Sequence, residues 1–341
     1  MTTTNSPTTP GPAPGRERGD APRAAAPRRR ARTTDRGLNR VFRWTATGAG
    51  GLILGVLAAV AIFLVLRAWP ALTAGGDVLG EEVAWFPEGA SLVSFVGPLV
   101  FGTLLAAALS LVLATPVAMG IALFISHYAP RRLASTLGYV VDLLAAIPSV
   151  VYGLWGSLVL PPVVVPVWSW LADTFGWLPL FAGPASPTGR VLLTVALVLA
   201  VMILPIITAV SREVFLQTPT LHEEAALALG ATRWEMIRMA VLPFGAPGIL
   251  SAGVLGLGRA LGETMAVAMV LSATGGISFR LLTSENPSTI AANIALSFPE
   301  AFATNINVLI ATGLILFIVT FAVNAIARWI IGRRKEFSGA N

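Results

Sequence analysis

The chain has 341 residues, 55% hydrophobic and 12% charged; a soluble domain carries about twice that charged fraction, so the class is an integral membrane protein. No cysteine is present, and only two histidines, His127 and His222, stand far apart in sequence; disulfides, thiolate metal sites and a multi-histidine metal site within one chain are excluded. The net charge of +6 invites a nucleic-acid reading that fails on distribution, because residues 1–43 hold ten arginines against Glu17, Asp20 and Asp35 and the rest of the chain nets −1.

Residues 1–43 are rich in Pro, Thr, Ala and Arg and poor in large apolar side chains, which predicts a disordered basic tail. It can touch anionic lipid headgroups, although a solvated topogenic tail is the simpler reading. It lacks the short apolar core and cleavage pattern of a signal peptide. Crossing a hydrocarbon layer takes about 20 apolar residues. Six segments reach that length: a first span within 44–69, then spans near 95–126, 134–160, 188–210, 246–272 and 306–331. Residues 70–94 form the first outer loop. Segment 161–187, with Pro161, Pro162, Pro166, Pro179, Pro184 and Pro187, reads as an irregular outer connection. Trp69, Trp85, Trp168, Trp170 and Trp177 suit an aromatic belt at that interface. The chain closes with a short tail, 332–341.

Asp142 is embedded in the third span, just before AAIPSVVYG at 145–153. Pro148 removes a backbone donor and should kink the helix, and Ser149 can satisfy a freed carbonyl. Asp142 pairs with an arginine or lies near the cytoplasmic interface; a direct substrate role is the alternative.

Between the fourth and fifth spans, 211–245 reads as a polar loop holding a short helix-turn-helix, EEAALALGATRWEMIRMAVLP at 223–243. Thr220 with Glu223, and Thr232 with Glu235, fit capping boxes. Gly230 suits a left-handed helix stop. Trp234, Ile237 and Val241 fall on one face opposite Arg233 and Arg238, and Pro243 ends the unit. A soluble-looking hairpin among apolar spans predicts a docking point for a partner outside the membrane; an ordinary interfacial amphipathic hairpin is the bland alternative.

The fifth span contains LGLGRALGETMAV at 255–267. A mid-bilayer charge costs about 2.5–3.5 kcal/mol on insertion scales, so Arg259 must face protein or water. Glu263 is four residues on and can pair with it. The pair either neutralises itself and orients the helix, or lines an anion path in which a guanidinium matches a tetrahedral oxyanion. Gly253, Gly256, Gly258 and Gly262 predict a helix–helix interface here.

Basic residues sit at the N-terminal tail, at Arg131–Arg132, in the polar loop (Arg212, Arg233, Arg238) and at the C-terminal end (Arg328, Arg333, Arg334, Lys335). The intervening loops carry Asp77, Glu81, Glu82, Glu88, Asp173, Glu285 and Glu300. The positive-inside rule then puts both termini and the hairpin in the cytoplasm.

The hairpin resembles the EAA loop of type I ABC importer permeases, with Glu224, Ala225, Ala226, Gly230, Leu242 and Pro243 in register and Ala240 where the family usually has Ile. Together with LLAAIPSVVYGLWG (143–156) and LGLGRALGETMAVAMV (255–270), it resembles the phosphate-specific branch, most closely the PstC subunit family. The resemblance runs from about 95 to 331, more loosely over the first span, and excludes the tail. It implies an all-α, polytopic six-helix permease bundle in the bacterial cytoplasmic membrane, with 95–331 as the permease domain. It implies a second, PstA-like permease, two PstB-like ATPases and a PstS-like extracytoplasmic phosphate-binding protein as partners. Arg259 and Glu263 then match charged positions linked to phosphate passage, and Glu224, Ala225, Ala226 and Gly230 match ATPase-docking positions. The chain has no GxxxxGK[ST] string, so ATP and Mg are expected on the partner ATPases and no cofactor in this chain. Permeases for sulfate or molybdate remain a rival. An ion-coupled secondary transporter or channel is a more distant one. With no nucleophile–base constellation or metal cluster, an enzyme is not expected.

Overall fold

A computed structural model of the chain describes residues 35–75, 86, 90–302 and 304–337, except the side chains of 35–38 and 334–337. Among the described residues all regular structure is helical. The chain separates into two compact units, Met1–Leu57 and Ala58–Asn341.

In the first unit the described part is the opening of α1 (Asp35–Thr73), whose side chains are exposed over 39–57. Helix therefore begins inside the segment expected to be disordered. No proline falls between Pro27 and Pro70, and an acidic residue at the start favours the helix dipole. The rest of that expectation, 1–34, lies outside the described residues, as does most of the outer loop 70–94.

The second unit is built around α6 (Leu192–Leu216), an apolar helix most of whose residues are buried. A helix hydrophobic on all sides belongs in the middle of a bundle. Along it lies α2 (Leu92–Leu123), which continues through a π turn to Tyr128. The contact face of α2 is a ladder of small residues, Ala106, Ser110, Ala114, Ala118 and Ala122, all buried. Small side chains let backbones approach where lipid gives no hydrophobic drive for helix association.

Five helical stretches are long and apolar enough to cross a membrane, and a bent pair makes a sixth. The pair is α3 (Arg131–Ala145) and α4 (Ser149–Leu158), which meet at 86°. The continuous third span expected at 134–160 is thus broken. Pro148 cannot donate and biases Ile147 out of helix, and the Tyr152 hydroxyl donates to the Leu144 carbonyl at 3.0 Å across the bend.

The proline-rich 161–187 segment is also not wholly irregular, because α5 (Pro161–Phe175) occupies its first half. Pro161 and Pro162 sit in the first helical turn, where amide protons have no intrahelical partner. Trp168 belongs to the core rather than to an interfacial belt: it is buried and its Nε1–H donates to Thr194 Oγ1 at 2.9 Å. Trp69, Trp170 and Trp177 are exposed.

After α6 come the short α7 (Thr220–Ala228), α8 (Arg233–Met236) with a π turn over Ile237–Val241, and α9 (Leu242–Leu261). The chain continues through α10 (Met265–Val270), an extended stretch, α11 (Ile290–Ser297) and α12 (Thr304–Phe337). The fifth span accordingly runs from Arg233 to Leu261 as one helical column and breaks at 262–264, instead of covering 246–272 unbroken. The extended stretch survives because protein groups satisfy its backbone. Buried Asn286 accepts the Leu192 N–H at 3.0 Å and donates to the Arg190 and Ser272 carbonyls at 3.3 and 3.2 Å.

Candidate functional site

The hairpin stands on a small apolar base. Phe215 from α6, Ala122 and Leu123 from α2, and Met236, Ile237 and Val241 form one buried cluster, with Ala226 of α7 packed against it. The first predicted capping box does not form. Pro219, not Thr220, occupies the cap position of α7, so Thr220 is already helical. Glu223 instead approaches His127 at the end of α2, Oε1 to Nε2 at 3.4 Å. Gly230 takes φ +86°. Its N–H donates to Leu227 O and that of Ala231 to Ala226 O, the paired bonds of a Schellman stop. The second capping box forms in both directions, Thr232 N–H to Glu235 at 2.7 Å and Glu235 N–H to Thr232 Oγ1 at 3.4 Å.

Two other expectations about the hairpin are corrected. Ile237 and Val241 are fully buried, but Trp234 is 56% exposed and lines an open groove with Leu111, Met119, Leu123 and Leu242. Pro243 does not end the unit. It lies in the first turn of α9, where the preceding π turn already relaxes the demand for an amide donor. Glu224, Ala225, Gly230 and Pro243 are exposed, with Leu221, Leu227 and Leu229 beside them; Ala226 and Leu242 are half-buried.

Deeper in the bundle, the ladder Gly245, Gly248, Ala252 and Gly256 on α9 meets α6. A Cβ on Gly256 would stand 2.9 Å from Ile207. Gly258 faces open space, on the same side as a cavity of about 810 Å³ lined by Ser251, Gly258, Arg259, Asn324 and Arg328 among others. Arg259 and Arg328 reach it from different helices, α9 and α12. The expected Arg259–Glu263 pair is absent among the described ion pairs. The helix ends at Leu261, so the four-residue spacing no longer places the two on one face. Glu263 is 7% exposed, and its Oε1 accepts the Ala266 N–H at 3.2 Å, capping α10. The contribution of Arg328 and Asn324 was not foreseen: Arg328 is exposed, and its place in the basic end of α12 marked it only as a topogenic charge.

Asp142 lies elsewhere. Its carboxylate is 3.9 Å from Arg212 Nη2, with the acid side chain 54% exposed, so it meets an arginine as expected and does not line the Arg259 cavity. The glycines of the 143–156 block serve close packing: a Cβ on Gly153 would stand 2.9 Å from Ala266, and one on Gly156 2.6 Å from Val198. No cluster of metal-ligating side chains occurs among the described residues.

Residues 114–336 match the family described as binding-protein-dependent transport system inner membrane component. The chain is 44% identical over 306 residues to the phosphate transport system permease protein PstC 2 of Mycobacterium tuberculosis (strain ATCC 25618 / H37Rv), covering 86% of this chain and 91% of that protein. It is 39% identical over 306 residues to the PstC protein of Mesorhizobium japonicum, covering 88% and 92% respectively. Among solved structures, a bacterial ABC transporter involved in import of the acidic polysaccharide alginate superposes with a TM-score of 0.52 at 18% identity, covering 85% of this chain and 98% of that one, which shows the fold. A multi-pass bundle with the type I importer fold, matched over most of its length by PstC proteins, places this chain in the PstC family of binding-protein-dependent inner membrane permeases.

Proposed function

We propose that this chain is the membrane permease subunit of an ATP-driven importer of inorganic phosphate. The observation that carries the reading is the cavity where Arg259 and Arg328 converge from two helices with no ion-pair partner among the described residues. A permanently charged, planar donor set lowers the barrier for a tetrahedral anion in a low-dielectric bundle. Binding there must stay weak enough for release. The phosphate permease names of the relatives supply the substrate.

On this reading a second, PstA-like permease completes the path, and a PstS-like binding protein delivers phosphate from outside. Two PstB-like ATPases hold ATP and Mg. Their closure pushes the hairpin through Glu224, Ala225, Ala226 and Gly230, with Leu242 and Pro243 at its junction with α9. The basic ends of the spans support a cytoplasmic hairpin and cytoplasmic termini. The chain itself carries no catalysis.

ATP-dependent uptake of labelled phosphate into vesicles holding the assembled transporter tests the reading, with sulfate and arsenate as competitors. Uptake competed by arsenate and untouched by sulfate is expected. Competition by sulfate at equal concentration would make the chain a broader oxyanion permease. Accumulation without any ATPase would make it a secondary transporter.

A further inference from the structure

Apart from the Arg259 cavity, a second basic pocket opens near the hairpin. It has a volume of about 400 Å³ and is lined by Ser126, Arg131, Ser135 and Arg212 among others. These four come from three elements: the π turn ending α2, the start of α3, and α6. Arg212 is not a loose surface charge. Its guanidinium lies so close over α3 that a Cβ on Gly138 would collide with Nη1, its Nε is buried without a hydrogen-bond partner, and its ion-pair contact among the described residues, to Asp142, spans 3.9 Å. A guanidinium packed in this way is a fixed positive charge on the pocket wall.

The pocket is wired to the hairpin. Ser126 Oγ is 2.7 Å from His127 Nδ1, and His127 Nε2 is 3.4 Å from Glu223, the residue before Glu224. We propose that this pocket binds a phosphate-class anion and that its occupancy restrains the hairpin. Two guanidinium groups and two hydroxyls drawn from three elements form the donor set that a tetrahedral oxyanion takes. The volume leaves room for the anion and several waters of about 30 Å³ each. A bound anion ties α3, α6 and the end of α2 together. It also competes for the Ser126 hydroxyl that faces His127, next to the lever that must move during transport. The restraint rests on the importer reading above; the binding does not.

The chemistry admits two sources, free phosphate or a lipid headgroup, and the test separates them. The full-length chain carrying Arg259→Ala and Arg328→Gln, which together remove both guanidinium groups from the path cavity, is placed in nanodiscs of purely zwitterionic lipid and titrated with inorganic phosphate. Saturable binding that weakens roughly tenfold or more on adding Arg131→Gln and Ser135→Ala is expected; both positions are exposed, and Arg212 with its packing stays intact. If phosphate does not bind but phosphatidylglycerol is retained by the parent and lost by the variant in mixed-lipid nanodiscs, the occupant is a headgroup. Neither ligand depending on Arg131 and Ser135 overturns the site. In vesicles of the assembled transporter, phosphate on the ATP side should slow uptake by the unsubstituted protein. The Arg131→Gln, Ser135→Ala protein should keep its rate in zero phosphate and lose the slowing; slowing equal in both overturns the restraint while leaving the path reading untouched.

Discussion

Glu263 and Ala266 are joined by a hydrogen bond from the Ala266 N–H to Glu263 Oε1 at 3.2 Å. The acid four residues beyond Arg259 therefore holds the start of a new helix, and the arginine is left facing the cavity without it. This separates two roles that a continuous helix would have merged, and it predicts different phenotypes for the two residues. Glu263→Gln keeps a carbonyl oxygen for Ala266 and should leave stability nearly unchanged. Glu263→Ala should cost about 0.5–2 kcal/mol, the ordinary worth of a cap. Thermal unfolding of the purified variants checks this; equal loss for both would mean that the charge, not the cap, is what matters.

Arg259→Ala should abolish phosphate uptake while the transporter still assembles. Arg259→Lys should retain part of it, since the charge stays and the planar fork is lost. Arg328→Gln should reduce uptake less, because Arg328 is exposed near the end of α12. Uptake in reconstituted vesicles, normalised to assembled complex, measures all three. Normal uptake by Arg259→Ala removes that residue from the path.

What could be read from the chain before its structure divides along physical lines. Residue chemistry carried well: the membrane class and the Gly230 stop rest on local or compositional signals that tertiary packing does not overturn. The Thr232–Glu235 box held for the same reason. Continuity did not carry. Periodicity counts apolar residues without seeing whether the column is straight, so the 86° bend at Pro148 and the break after Leu261 were hidden inside apolar runs. The misplaced Arg259–Glu263 pair is a direct consequence of that second break. Trp168 was misread because an amphipathic ring suits an interface or a core equally until its N–H finds Thr194. Asn286 carried no visible signal at all; a lone asparagine in a polar loop is ordinary until three backbone groups converge on it.

The hairpin predicts loss of coupling without loss of fold. Glu224 is exposed on α7, so Glu224→Lys should leave the membrane bundle intact and release the ATPase. Gly230→Asp should do the same more locally: the position has open space for a side chain but holds φ +86°, a conformation that costs an L-residue roughly 1 kcal/mol or more. Co-purification of ATPase with each variant is the measurement. Undiminished recovery with both would detach the hairpin from docking.

Asn286 predicts the largest stability loss. Its amide satisfies the Leu192 N–H and the Arg190 and Ser272 carbonyls at once, with the residue fully buried. Asn286→Leu fills similar space and strands all three groups, at about 1–3 kcal/mol for each that finds no water. Asn286→Asp keeps the acceptor for Leu192 and loses the two donations, while bringing a buried charge near two carbonyl oxygens, so it should be no better tolerated. The expected result is a lowered unfolding midpoint for both variants, together with protease cleavage in 271–289 that the parent resists. If both variants match the parent, the extended stretch is held by its flanking helices alone. The Asn286 clamp would then be a consequence of their packing rather than its cause.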